Sequence, residues 1–341
     1  MTWTGPLRSA LRRLPPIARR DRRLATLQAR LSEASEISAN RPSFQARLYA
    51  EGRIRAHERE AGRYAPSVIS RGKFWVYQLV SSHGVEIPEQ LGRWGAPEEI
   101  AWDDLPERVV IKADRGSTGR GVLPLRRVGT RWQVITHDTV LAAEQLAAEL
   151  RTRVEQGRIK GPFGAEGFLE DGDDSEPLPC EVKAYSFYGE VPLLQITRSD
   201  EHANLDATRY RMVDAHGSDL INAETHPALD AAIGVDPAHR LDRIDLTLSL
   251  PSRLDEVADI ASRLSVAMRL PFARIDLYPL QDRVVFGEVT PRPGFRQWLG
   301  VDLDTRLGEH WERAIARLGH DVAAGMPPEP QRGPHGGQDA S

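Results

Sequence analysis

Two groups of residues carry the chemistry this sequence can do. The first is Val109-Val110-Ile111-Lys112-Ala113-Asp114-Arg115 followed by Gly116-Ser117-Thr118-Gly119-Arg120-Gly121. A strand-like apolar run delivers a lysine, and three glycines follow whose backbone N–H groups can turn toward a negative ligand without side-chain obstruction. That composition suits a phosphate cradle, although an ordinary hairpin turn shares it. It is neither a Walker A loop nor a G-x-G-x-x-G fingerprint, because the lysine precedes the glycines and their spacing differs. The second group is Arg274-Ile275-Asp276, twelve residues before Glu288-Val289-Thr290. If Pro279–Arg283 forms the turn of a hairpin, Asp276 and Glu288 share one face of it. Two carboxylates so placed repel unless a cation joins them, and hard oxygen ligands suit Mg²⁺ bridging nucleotide phosphates. Arg274, on the same face, can reach a phosphoryl group or a developing oxyanion; the competing reading is a salt bridge to either acid.

Lysine scarcity sharpens the search. Of 45 basic residues only Lys73, Lys112, Lys160 and Lys183 are lysine, and 41 are arginine. A lysine kept in such a background marks a place where a compact, rotatable charge is needed and the planar guanidinium is not. Lys183 either contacts phosphate or substrate, or pairs with Glu181 two residues away on its strand. Arg198 and Arg292 are candidates for gripping a substrate carboxylate, or ordinary surface arginines. The acidic run 170–176 reads as a solvated turn, since it lacks the spacing of a Ca²⁺ loop. Cys180 reads as a packing residue. Ten histidines show no H-x-H or H-E-x-x-H spacing for zinc, and no G-x-S-x-G marks a hydrolase nucleophile.

Taken in order, Lys73 on a helix, Lys112 and its glycine loop, Glu166-Gly167-Phe168-Leu169-Glu170 as a strand, Glu181-Val182-Lys183 opening a hairpin, and RID…GEVTPRPG resemble the ATP-grasp ligases, within them the teichuronopeptide-type (TupA-like) branch. The resemblance spans roughly residues 70–300. It implies an α+β ATP-grasp fold in which Lys73 and Lys112 reach the α- and β-phosphates of ATP. Gly116, Ser117, Thr118, Gly119 and Gly121 would close over the β- and γ-phosphates. Adenine would meet Glu166 and the backbone at Phe168 and Leu169, Glu181 would take the ribose hydroxyls, and Lys183 would add a contact to nucleotide. Asp276, Glu288 and Thr290 would hold Mg²⁺, with Thr290 standing where many relatives carry asparagine. Arg274, Lys112 and Arg292 would act at the reacting phosphoryl group and carboxylate. The activity implied is ATP-dependent joining of a carboxylate to an amine through an acylphosphate, releasing ADP and phosphate. Amino acids, peptides or sugar acids are the substrates this branch suggests. A phosphotransferase acting on a hydroxyl and a non-catalytic nucleotide-binding protein are the alternatives.

The elements that must position these groups are legible from periodicity. Helices are expected in Arg41–Ala65, from Ser70 to near Gly84, in Val140–Arg158 and in Ser252–Leu270; hairpins are expected over 107–136, 181–200 and 273–293. This gives an arginine-rich helical extension at 1–65, an ATP-grasp lobe with the glycine loop at 66–165, a second lobe with the metal site at 166–322, and a Pro/Gly-rich disordered tail at 323–341. Residues 1–63 hold 14 arginines against 6 acids, while the whole chain of 341 residues has a formal net charge of −4. A chain so balanced is not built to coat nucleic acid. Its basic extension reads as a solvated cap, or as a contact for an acidic partner, a phosphorylated substrate or an anionic membrane surface. Hydrophobic residues make up 40% of the chain and charged residues 28%. No apolar run approaches the length of roughly 18 residues that a membrane helix needs, so no transmembrane span is expected. The opening residues lack the apolar core of a secretory signal and a single cysteine excludes an internal disulfide, so a cytoplasmic protein is expected; the oligomeric state is open.

Overall fold

The computed structural model describes residues 41–62, 72–116, 119, 121–172, 176–201, 207–221, 244–293 and 300–325. Ser117, Thr118, most of the 1–65 extension and nearly all of the expected tail lie outside them. Helix α1 (Phe44–Glu60) and helix α2 (Lys73–Ser82) precede strand β1 (Gln90–Trp94). There follow β2 (Arg108–Gly116), β3 (Val122–Val128), β4 (Arg131–Val134), β5 (Val140–Leu141), α3 (Ala143–Glu155) and β6 (Ile159–Gly167). The remaining elements are β7 (Glu181–Phe187), β8 (Glu190–Ser199), β9 (Thr208–Val213), α4 (Leu254–Ala267), β10 (Ala273–Pro279), β11 (Val284–Thr290) and α5 (Gly300–Ala323).

The strands form two antiparallel sheets. One has six strands in the order β1-β6-β2-β3-β4-β5; the other has five in the order β11-β10-β7-β8-β9. In β2 the alternation expected of a strand buries Val109, Ile111 and Ala113 on one face, against Leu146 and Leu150 of α3, and turns Lys112 to the other. Helix α3 ends where Gly157 takes φ +66°, a left-handed conformation that glycine adopts without a Cβ clash. Helix α4 buries Leu254, Val257, Ile260, Ala261 and Leu264 against the five-stranded sheet, the three-to-four-residue spacing of an amphipathic helix. Among the described residues no helix is long and apolar enough to cross a membrane.

Helix α2 touches both sheets. Its Phe74 ring lies where a Cβ on Gly164 of β6 would be, 2.5 Å from Cζ, so the bare glycine lets the helix seat against the six-stranded sheet. Tyr77 packs edge-on against Phe286 of β11 at 6.0 Å, and Val76 and Val80 enter the core beneath the five-stranded sheet. The chain leaving α2 bonds directly to that sheet, with the Phe286 N–H donating to the Glu86 carbonyl at 2.8 Å.

Four features depart from the expectations above. Val140 and Leu141, expected to open a helix, form β5, and α3 starts at Ala143. Residues 168–170 lie beyond the end of β6, so the Glu166–Glu170 run is strand only through Gly167. Strand β9 is not among the expected elements. Nor is the 24-residue α5, which buries Leu303, Leu307, Trp311 and Ala314 together with Phe44 and Leu48 of α1. Gly300, Gly308 and Gly319 weaken its helical signature. Gly308 is there for contact: a Cβ would lie 2.5 Å from the Ser43 nitrogen at the start of α1.

Candidate active site

The cross-strand register of β10 and β11 sets Asp276 directly opposite Glu288 and Arg274 directly opposite Thr290, so all four share a face. On the other side of β10, Lys183 of β7 is the partner of Asp276. Arg274 grips both oxygens of Asp276, Nε to Oδ1 at 2.7 Å and Nη2 to Oδ2 at 2.6 Å, and its Nη2 lies 3.4 Å from the Thr290 hydroxyl. Lys183 adds a contact to Asp276 Oδ2 at 3.4 Å and pairs closely with Glu181. Glu288 receives the Lys73 ammonium from α2 at 2.8 Å. The salt-bridge readings of Arg274 and Lys183 thus hold, within the same constellation that brings Asp276 and Glu288 together.

From the six-stranded sheet comes a second buried pair. Lys112 of β2 stands opposite Gly164 of β6 and reaches diagonally to Glu166, Nζ to Oε2 at 2.5 Å, while donating to the Tyr77 hydroxyl at 3.1 Å. Glu166 is 1% exposed, and its Oε1 has no hydrogen-bond partner. Tyr278 of β10 lies 3.5 Å from Glu181 through its hydroxyl. Neither tyrosine stands out in the sequence by residue type. Tyr77 follows Lys73 by four residues on one helix face, and Tyr278 follows Asp276 by two on one strand face, so periodicity is the signal that finds both.

Burial and pairing set the charges. Burial works against charge on Lys112 and Lys183, yet Glu166 beside the first, and Asp276 and Glu181 beside the second, hold both pKa values above the ordinary lysine range. Burial likewise opposes ionisation of Asp276, but Arg274 and then Lys183 keep its carboxyl below the usual range. Desolvation raises Tyr77 and Tyr278, so both hydroxyls stay protonated. The cluster therefore holds four cations, Lys73, Lys112, Lys183 and Arg274, against four carboxylates, Glu166, Glu181, Asp276 and Glu288. Among the described residues no three His, Cys, Asp or Glu side chains gather as a metal-binding group; the Asp276 and Glu288 carboxylates and the Thr290 hydroxyl are oxygens on one face of β10 and β11.

Other anticipated residues lie around this centre. Gly116 ends β2, Gly119 takes φ +72°, and the Gly121 carbonyl accepts from the Ala113 N–H at 2.7 Å, which fixes the base of the glycine loop. Phe168 is covered by the Arg108 guanidinium at 4.1 Å, and Arg108 also pairs with Glu170; Leu169 lies between. Arg292 sits two residues past the end of β11. Arg198 is engaged by Asp171 at 2.7 Å, and the same carboxylate accepts from the Cys180 N–H. Asp171 is thus a half-buried structural acid in the 170–176 run, beside the exposed Glu170 and Gly172; residues 173–175 lie outside the described residues. Cys180 packs in the core, where burial pushes its thiol up to about 11. The fourth lysine, Lys160, is exposed on β6.

A family model described as TupA-like ATP-grasp matches residues 53–312. The chain belongs to the TupA-like ATP-grasp family. It is an ATP-grasp enzyme, and its paired antiparallel sheets with flanking helices are the α+β ATP-grasp fold. Among solved structures it is similar to D-alanine–D-alanine ligase from Bacillus anthracis, at 16% identity and TM-score 0.46 over 80% of this chain and 75% of that one. It is similar too to the ATP-grasp ligase PsnB complexed with a precursor variant, Mg and ADP, at 16% identity and TM-score 0.40, covering 76% of this chain and 64% of that one. The L-amino acid ligase from Bacillus licheniformis follows at 14% identity and TM-score 0.39, over 70% of this chain and 45% of that one. No curated protein matches the chain.

Proposed function

We propose that this ATP-grasp enzyme uses ATP to join a carboxylate to an amine. The observation that carries the proposal is the gathering of Lys73, Lys183 and Arg274 on the cross-strand pair Asp276 and Glu288, with the buried Lys112 on Glu166 and Tyr278 within electrostatic reach of both Lys112 and Asp276, between two sheets tied by α2. A triphosphate requires several cations. Glu166 Oε1, a buried acceptor of the cluster without a partner, is matched by an N–H donor such as the amino group of adenine. The donor set also fits Mg²⁺: two carboxylates and the Thr290 hydroxyl are hard oxygens. When bound there, Mg²⁺ would neutralise charge on the phosphates.

In the proposed reaction a substrate carboxylate oxygen bonds to the γ-phosphorus as the bond to the bridging oxygen breaks and ADP leaves. An amine nitrogen then bonds to the acyl carbon, phosphate departs, and the amide forms with loss of a proton. No side chain of the enzyme need act as nucleophile, so its work is positioning and charge neutralisation. Lys73, Lys112 and Lys183 hold the phosphates beneath Gly116, Ser117, Thr118, Gly119 and Gly121. Glu166 and the backbone at Phe168 and Leu169 hold adenine, and Glu181 the ribose. Arg274 steadies the transferred phosphoryl group, and Arg292 the substrate carboxylate. Amino acids, peptides and sugar acids are the substrate classes proposed, in the cytoplasm.

The test is incubation with ATP, Mg²⁺ and pooled carboxylates and amines, reading ADP release and product mass together. An amide product and ADP are expected. Glu288→Gln is the discriminating variant because its side chain is 44% exposed, so the fold tolerates it, whereas Asp276→Asn would leave two buried cations facing a neutral group. Glu288→Gln should lower ADP release by about 100-fold or more. Full turnover in Glu288→Gln would remove the metal assignment, and a phosphorylated hydroxyl as product would make the enzyme a phosphotransferase.

A further inference from the structure

Each of the four carboxylates in the cluster is bonded to one of its four cations. Lys73 holds Glu288 at 2.8 Å, Lys112 holds Glu166 at 2.5 Å, Lys183 holds Glu181 and contacts Asp276 at 3.4 Å, and Arg274 spans both oxygens of Asp276. Lys73, Lys183 and Arg274, proposed for the phosphates, are thus the present partners of Glu288 and Asp276, the carboxylates proposed for metal. We infer that Lys73 is a resident counter-cation of Glu288, and that nucleotide and divalent cation enter by exchange: phosphate draws Lys73 away, and only then does Glu288 become a strong metal ligand. The inference rests on the nucleotide reading of this site.

Three features make Lys73, rather than Arg274, the exchanging group. An ammonium on a flexible four-carbon stem can rotate between acceptors, while the bidentate fork of Arg274 on Asp276 is fixed in geometry. Lys73 is the first residue of α2, where the positive end of the helix dipole disfavours a cation, so the helix itself does not retain it beside Glu288. And Glu288 is half-exposed, reachable from solvent, whereas Asp276 is enclosed by its two cations. In a chain that uses arginine at 41 basic positions, a lysine here supplies the mobility that exchange demands. A metal ion arriving without phosphate meets an already neutralised carboxylate and a competing ammonium; one arriving with phosphate does not. The two ligands therefore bind with positive coupling, and coupling is reciprocal.

The experiment measures Mn²⁺ binding to the full-length protein by loss of the free-ion electron paramagnetic resonance signal, with and without ADP, in the wild type, Lys73→Met, Lys73→Gln and Lys73→Met/Glu288→Gln. Removing the ammonium should tighten binding of Mn²⁺ alone by about tenfold or more, within the usual range of coupling. The gain should vanish in the double variant, and the tightening of Mn²⁺ by ADP should be smaller in Lys73→Met than in the wild type. Lys73→Gln should behave as Lys73→Met does, which guards against a fold-specific effect of either one. If both single variants bind Mn²⁺ alone no more tightly than the wild type, the exchange is overturned while the nucleotide reading stands. If the wild type takes up neither ADP nor Mn²⁺ with ADP at millimolar concentrations, the nucleotide reading itself fails.

Discussion

A lysine and a glutamate enclosed as Lys112 and Glu166 are must satisfy all their valences or lose stability, since the desolvation of two charges can exceed their attraction. Lys112 has both Glu166 and the Tyr77 hydroxyl, but Glu166 is left with one oxygen unmatched. Breaking the pair from either side strands a buried charge. Glu166→Gln and Lys112→Met should each destabilise the protein by about 3–5 kcal/mol, and the double variant by less than the sum. Urea denaturation measures this, and single variants within about 0.5 kcal/mol of the wild type, the range of ordinary surface changes, would show the pair to be energetically idle. At this scale the sequence is informative where residue type is rare. Three of the four lysines, set apart only by scarcity, sit in the cluster, and Lys160 does not. Tyrosine carries no such mark, so residue type alone does not reveal Tyr77 and Tyr278. The partner of Arg198, 27 residues away at Asp171, depends on tertiary structure that local pattern does not encode.

Helix α2 is the element on which the site depends, because it brings Lys73 to Glu288 and Tyr77 to Lys112 while wedged between the two sheets. Its seat is Gly164. Adding a methyl there places carbon 2.5 and 2.6 Å from the Phe74 ring, so the ring or the helix must move. Gly164→Ala should therefore destabilise by about 1–3 kcal/mol, as overpacking does, and should weaken ADP binding through displacement of Lys73 and Tyr77. Adding Phe74→Leu, which removes the ring, should restore part of both. Calorimetric titration with ADP and thermal melting of the two variants measure this; wild-type affinity in Gly164→Ala would show that α2 does not position the lysine. Helices with strong apolar periodicity, such as α4, and hairpins with clear turns are legible in sequence. Helix α5 is not, because the glycine that allows α1 to approach it at Ser43 is also a residue that weakens a helical signature. Strand β9 is a short edge strand whose pairing with β8 is settled by the sheet it joins.

At the scale of the whole molecule, the order of motifs along the chain carries the family, because Lys73, Lys112, Glu166, Glu181, Asp276 and Glu288 are scattered over more than two hundred residues and meet only through two sheets and one helix. A ligand held at once by β2, β7, β10, β11 and α2 would restrain both sheets together, and by mass action a ligand at one hundred times its Kd adds about 2.7 kcal/mol to the folded state. ADP with Mg²⁺ should then raise the melting temperature by about 4 °C, the conversion of that free energy at about 2.1 cal/mol/K of unfolding entropy per residue. Because each carboxylate of the site is already matched by a cation of the chain, Mg²⁺ alone should raise it little, and ADP alone less than the two combined. Scanning calorimetry across the four conditions decides the matter. A rise with Mg²⁺ alone equal to that of the mixture would mean the acids bind metal without competition, and additive rises would mean that the lysines proposed for phosphate and the carboxylates proposed for metal do not exchange partners at all.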